Sequence, residues 1–210
     1  DGGVVEEVAV REGQIVEAGQ LLMRIDPTRF VSSLRENQAE HLSLRAKAAR
    51  LEALTQGKPF EPPADVVSDA PDIVAHERRL YESSRDEMNA QLSIAREQLT
   101  QRRQELNEII ARRDQAARGF ALVQQELSVT RPLKESGAVS EVDLLRLERE
   151  VARLRGERDQ ASAQISRVQA AIAEAMGKIQ EVELNVRNQM RNELSATLSR
   201  ISSLSAGSDS

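Results

Sequence analysis

The chain has 210 residues, of which 30% are charged, 40% hydrophobic and only 2% aromatic, with no Trp and no Cys. So few rings cannot fill an ordinary globular core, and a composition dominated by Ala, Leu, Glu, Arg and Gln is that of long helices and coiled coils. A net charge of −5 argues against a nucleic-acid surface, and the absence of cysteine excludes a disulfide framework, a thiolate metal site and a Cys nucleophile.

Residues 1–26, "DGGVVEEVAVREGQIVEAGQLLMRID", differ from all that follows. Short β-branched runs alternate with glycines at 13 and 19, which reads as strand, turn, strand, turn, strand. Asp26-Pro27 then supplies an N-cap and a proline at the first helical position. A first helix is expected over 27–56, with apolar positions Leu34, Leu44, Ala48, Leu51 and Leu54. Residues 57–71, "GKPFEPPADVVSDAP", contain four prolines and form a connector that cannot be helical throughout.

From Asp72 the pattern is regular. Leu92, Ala95, Leu99, Arg102, Leu106, Ile109, Arg113, Ala116, Phe120, Val123 and Leu127 follow one another in steps of three and four. Leu144, Leu147, Val151, Leu154, Arg158, Ala161, Ile165, Val168, Ile172, Ala175, Ile179, Val182 and Val186 repeat the pattern. Heptads sustained this long predict a coiled coil. After Val186 the step changes to fours through Met190, Leu194 and Leu198, a drift from the strict heptad. The Ser-rich end, 205–210, is expected to fray.

Two arms of similar length, 72–130 and 141–204, flank a short break at 131–140, which argues for an antiparallel hairpin. Pairing residues whose numbers sum to 274 sets Leu127 by Leu147, Phe120 by Leu154, Ile109 by Ile165 and Arg158 by Ala116. The apex then falls at Gly137, which can take the left-handed conformation of a turn. Pro132 predicts that the ascending helix ends or kinks near Arg131. Ser140, followed by Asp143, marks the start of the descending helix as a capping box. Leu133 and Val139 are apolar residues far from any sizeable core, where exposed apolar groups mark contact with a partner.

On these residues a family resemblance can be stated. "GGVVEEVAVREGQIVEAGQLLMRID" resembles the first half of the lipoyl-like, barrel-sandwich domain of membrane fusion proteins, the periplasmic adaptors of bacterial export systems. The tip "LKESGAVSEVDLLRLEREVARL" is similar to theirs, most of all to the hemolysin-secretion (HlyD-like) adaptors of type I secretion. The resemblance implies a half-lipoyl segment leading into a helical hairpin, and the extra helix before the Pro-rich connector is what the type I branch implies.

It further implies a tip that docks on a TolC-like outer-membrane channel, an inner-membrane ABC transporter as the other partner, and a homo-oligomer, a hexamer, of the complete protein. The periplasm is the implied location, with an inner-membrane anchor outside this sequence, which opens without Met and is read as a fragment. Adaptor tips of this kind carry an Arg, a Leu four residues on and a Ser or Thr seven beyond. Leu133 and Ser140 match that spacing, whereas the Arg position is held by Val129 and Arg131 lies two residues away. The expected docking residues are therefore Leu133, Ser140, Gly137, Val139 and Arg131.

The remaining signals point away from chemistry. His41 and His76 stand apart from carboxylates at ligand spacing, "GQIVEAGQ" has no strand–loop–helix phosphate cradle, and residues 1–26 lack the Lys that a lipoyl or biotin carrier modifies. No nucleophile set or paired carboxylates stand out. The expectation is a non-enzyme without cofactor or metal: a mainly α fold, a long antiparallel coiled-coil hairpin with an extra N-terminal helix and a partial β segment. A drug-efflux adaptor and a cytoplasmic coiled-coil scaffold remain as alternatives.

Overall fold

A computed structural model describes residues 5–26 and 28–208. Among them two short strands, β1 (Val5–Val8) and β2 (Met23–Ile25), precede four helices: α1 (Thr28–Gln56), α2 (Ala64–Asp69), α3 (Pro71–Glu135) and α4 (Glu141–Ser208). The fold is mainly α-helical, with a long helix pair and a small antiparallel sheet. It divides into two units, residues 1–86 together with 187–210, and residues 87–186.

In the first unit β1 and β2 pair antiparallel, Val5 opposite Ile25 and Val8 opposite Met23, with a bulge between Val5 and Glu7. Two turns follow β1, and they are built alike. Gln14 N–H donates to the Arg11 carbonyl and Gln20 N–H to the Glu17 carbonyl, both at 3.1 Å. Gly13 and Gly19, at φ 85° and 90°, hold the left-handed position each turn requires. In each turn the Gln side chain reaches back to accept the first residue's N–H, so "REGQ" and "EAGQ" are one motif used twice. The expected middle strand does not form: Ile15 and Val16, caught between the turns, lie outside the ladder. Val4 and Pro27, to which the strand and helix-start readings also appealed, lie outside the described residues. Asp26 does accept the Thr28 N–H at 2.9 Å, and hydrogen bonding from Thr28 holds its carboxyl below the usual range.

The core of this unit is denser than the composition suggested. Ala46 and Ala53 of α1 meet Phe60 and Val66 of the connecting segment and Val74 and Tyr81 of α3. The Pro-rich stretch is thus a packed strap, not a loose tether, and α2 forms inside it. The Phe60 and Tyr81 rings stack with centroids 5.9 Å apart, the Arg78 guanidinium lies 5.3 Å from the Phe60 centroid, and Tyr81 donates to the Lys58 carbonyl at 2.8 Å. Arg50 and Glu77 are buried against each other, Nε to Oε2 2.5 Å. Lys47 pairs with Glu193 and Arg200 with Glu40, which ties α1 to the last turns of α4.

In those last turns the seam does not move in fours. Leu198 is exposed, and Thr197 is buried in its place with its hydroxyl bonded to the Glu193 carbonyl. Met190, Leu194, Thr197, Ile201 and Leu204 are all at least half-buried, so a three–four rhythm continues. A buried threonine satisfied by its own helix was invisible to a search for apolar residues.

The second unit contains the arms of α3 and α4 and the turn that joins them. Every expected seam position from Leu92 to Leu127 and from Leu144 to Val186 is buried or half-buried except Arg102. Ile109, Ala161, Ile165 and Val168 form its apolar centre, with Leu106, Ile110 and Ile172 against them. Leu154 faces Gly119, its methyls 3.4 Å from where a Cβ would sit there, one residue from the expected pairing with Phe120. The arginines at seam positions find polar or ring partners close by, and Arg158, expected beside Ala116, lies against Phe120. Its guanidinium lies 4.7 Å from the Phe120 ring centroid and also bonds Asp159, while Arg113 bonds the neighbouring Asp114 and Arg102 bonds Glu105.

Candidate functional site

The turn of the second unit gathers the residues that the sequence singled out, and it is tightly specified. α3 continues through Pro132 to Glu135. A proline removes one hydrogen bond, a small loss in a final turn, and what stops the helix is the glycine five residues on. Gly137 has φ 73°. Its N–H donates to the Lys134 carbonyl at 3.0 Å and the Ala138 N–H to the Leu133 carbonyl at 3.1 Å. That pair of bonds is a Schellman motif, with Leu133 and Ala138 at its customary apolar positions. Ser136 Oγ donates to the Leu133 carbonyl as well.

The descending helix starts with equal definition. Ser140 Oγ accepts the Asp143 N–H at 3.2 Å and donates its own proton to Asp143 Oδ2 at 2.6 Å, and the Leu144 N–H reaches the Ser140 carbonyl. Ser140 is the N-cap, and Glu141 and Asp143 place negative charge where the helix dipole favours it. Two ion pairs cross between the helices beside the turn, Lys134 with Glu141 at 3.2 Å and Arg131 with Glu148 at 3.4 Å. One turn further along α4, Arg153 donates to Glu150 and Glu157. The hydrogen bond from Arg153 lowers the Glu150 carboxyl below its usual range, and the Glu150 bond raises the guanidinium above its own.

Of the five expected residues, Leu133 is exposed, Val139 is half-buried, Gly137 forms the turn, Ser140 caps α4, and Arg131 is paired to Glu148. Three apolar side chains that sequence reasoning did not select are at least as open as Leu133 at 44%: Val129 at 64%, Val142 at 65% and Leu145 at 48%. A signal for two of them existed. In "VDLL" (142–145) the seam needs only Leu144, so Val142 and Leu145 are surplus apolar residues on a helix surface.

Among the described residues no group of three His, Cys, Asp or Glu could hold a metal ion, and no helix is long and apolar enough to cross a membrane. A recess beside Arg102, Glu105, Glu174 and Lys178 is an open, charged groove of about 830 Å³. It lacks the apolar walls of a small-molecule site.

Comparison with known proteins settles the family. The model of "AprE, long alpha-helical hairpin" matches residues 30–207. The chain belongs to this family. The resemblance to HlyD-like membrane fusion proteins read from the tip and the first 26 residues is borne out by that assignment. The AprE-type hairpin is similar to the alkaline protease secretion protein AprE of Pseudomonas aeruginosa, 28% identical over 202 residues, covering 93% of this chain and 47% of that protein. It is also similar to the type I secretion system membrane fusion protein PrsE of Rhizobium meliloti, 30% identical over 212 residues, 95% of this chain and 46% of that one. The chain spans about half the length of the curated relatives it matches.

Among solved structures, the soluble domain of LipC, a membrane fusion protein of a type I secretion system, shares the fold with a TM-score of 0.81 at 20% identity, over 98% of this chain and 79% of that one. The periplasmic adaptor protein EmrA does so at 0.53 and 18%, over 97% and 55%. Both likenesses speak to the fold.

Proposed function

We propose that this AprE-type hairpin belongs to a periplasmic adaptor of a type I secretion system. The complete protein bridges an inner-membrane ABC transporter to a TolC-like outer-membrane channel and exports protein cargo. It works by span and position, without catalysis or cofactor, and assembles as a homo-oligomer, a hexamer. The tip at 131–140 is its docking end, and the arms 72–130 and 141–204 carry the tip. The strapped helix 27–56 with its connector 57–71 braces the base of the arms.

The observation that carries this reading is an AprE-family hairpin with apolar side chains left open around a turn closed by a Schellman motif and a serine cap. The names of its relatives, alkaline protease secretion protein and type I secretion system membrane fusion protein, favour protein export over drug efflux. We read residues 1–26 as the first half of a lipoyl-like module. Its two glycine turns support that reading, as do Val5, Val8, Met23 and Ile25, all exposed and open to a covering partner.

The test is photo-crosslinking in cells from a probe at Leu133, with Leu106 as the mid-arm control. An adduct with an outer-membrane channel from the tip alone is the expected result. Adducts only with other copies of the chain, or none from the tip, would return residues 131–140 to the status of a connector.

A further inference from the structure

We propose that the arms of the second unit carry a yielding joint, at 98–105 of α3 and 171–181 of α4, where α4 opens around Gly177 while the turn and the apolar centre stay closed. The joint is a property of the arms and needs no partner at either end. A glycine inside a helix leaves the backbone freer, and its hydrogen bonds more open to water, than a side chain would. Gly119 of α3 has a packing reason, since the Leu154 methyls lie 3.4 Å from where its Cβ would sit. Gly156 and Gly177 of α4 have none: a Cβ at either would meet nothing within 4 Å. Both are exposed and hold the same heptad position, so residue type alone weakens α4 equally at the two places.

The arms differ in what surrounds each glycine. Near Gly156, Leu154 packs on Gly119, the Arg158 guanidinium lies 4.7 Å from the Phe120 ring centroid, and Ala116 and Ala161 are buried. Beside Gly177 lies the open recess of about 830 Å³, lined by Arg102 and Glu105 of α3 and by Ala171, Ala175 and Lys178 of α4. Two seam places here, Arg102 and Ala175, hold a charged and a small residue. Arg102 alone among the described seam positions is exposed, and it bonds Glu105 of its own helix. Lys178 bonds Glu181, again within one helix, and Arg96 reaches across to Glu183 only at 4.0 Å. On α3, Leu92 and Ala95 are buried before the recess and Ile109 after it, but no residue from 96 to 108 is. Leu99, Ile172 and Ile179 stay half-buried, which keeps the helices paired. The seam thus closes on both sides of a short stretch that it leaves open. Local opening selects such a place, poor in buried apolar contacts and with exposed backbone hydrogen bonds. A rod that yields at one defined point leans there and keeps its turn intact.

The experiment is amide exchange of the purified chain, read by mass spectrometry over 172–181. Residues 151–160, around Gly156, are the internal control, and 187–196 report on the next stretch of α4. The expected result is exchange about tenfold faster over 172–181 than over either, as loss of roughly one seam contact implies. Gly177→Ala should slow 172–181 by about fivefold, the ordinary difference between glycine and alanine in a helix. Arg102→Leu alters only the other helix; it should slow 172–181 by about fivefold and leave 151–160 within about twofold. Circular dichroism and size-exclusion chromatography check that each variant is folded and not newly associated. Should Arg102→Leu associate through its new side chain, Ala175→Leu fills the same recess from α4 and is read in the same way. Equal exchange over 172–181 and 151–160 would overturn the joint, as would exchange that rises steadily toward the end of α4, the mark of fraying. So would either substitution that left 172–181 unchanged, because the joint needs both the glycine and the open seam.

Discussion

The two units bury their residues by different means. Around α1, the strap and the start of α3, a few large groups do the work: Phe60 and Tyr81 stacked, Leu51 wholly enclosed, and an Arg50–Glu77 pair with little water access. Between the arms of the second unit, modest side chains at heptad spacing are buried or half-buried by one opposing helix, with an apolar centre around Ile109 and Ile165. Burial concentrated in a few residues makes each of them costly to lose. Burial spread along a seam makes each cheap, and leaves the ends to be fixed by local hydrogen bonds.

The sharpest test of that contrast is Glu77→Ala. It leaves the Arg50 guanidinium charged and unpaired in a dry setting, and breaking a buried pair in this way costs about 3–5 kcal/mol. A thermal melt of the variant should show the loss clearly. A change below about 1 kcal/mol, the range of exposed pairs, would mean that water reaches the pair and that the first unit is less closed than described. Ile165→Ala is the matching test in the seam. Truncation of a buried Ile costs about 2–5 kcal/mol, and with one opposing helix free to settle inward the value should lie near the bottom of that range. If it equals the loss in Glu77→Ala, the two units do not differ in kind.

At the turn the effects are smaller and specific. Gly137→Ala forces a Cβ into a left-handed conformation, about 1–2 kcal/mol, although nothing crowds the site. The cost is therefore conformational, and Gly137→Asn should recover much of it, a recovery that steric crowding would not permit. Ser140→Ala removes the N-cap of α4 for about 1 kcal/mol, and Ser140→Asp should restore it. Amide exchange at Asp143 and Leu144 gives the readout, since those N–H groups lose protection only if the cap is lost.

The same contrast decides what the amino-acid sequence made legible. The seam of the arms could be read almost residue by residue, because a three–four rhythm needs only the distinction between apolar and polar. Gly137, Ser140 and the glycine turns at 13 and 19 were legible for a similar reason: each is a local conformation with its own residue preference. Arg50, Glu77 and Thr197 were not, since a polar residue gives no sign in the sequence that a distant partner, or its own helix, will satisfy it in the interior. Phe60 and Val66 were hidden in a Pro-rich stretch whose composition announces a loop. At the tip the family motif drew attention to Leu133 and Ser140, and Leu133 is open, but so are Val129, Val142 and Leu145, which the motif does not name. Exposure is a property of packing, and it appears only once the seam has claimed its members.

Acid provides the mildest way of separating the units, because each contains an exposed carboxylate that an arginine hydrogen bond holds below its ordinary range. Arg45 donates to Asp65 in the first unit and Arg153 to Glu150 in the second, and in both cases the hydrogen bond lowers the carboxyl below its ordinary value. A carboxylate depressed in the folded state stabilises it at every pH above the unfolded value, and that contribution disappears as pH falls through the folded one. The window opens below about 3.9 for Asp65 and about 4.3 for Glu150, so neither matters between pH 5 and 8. Both pairs are open to water, which screens them, and the losses should be slight. Melts of Asp65→Asn and Glu150→Gln at pH 6 and pH 3 should lie closer together than those of the parent chain. A large effect in Asp65→Asn alone would show that Arg45 helps to hold the strap over Phe60, extending the concentrated burial of the first unit to its surface. An equal, small effect in both variants would confine that burial to the interior already described.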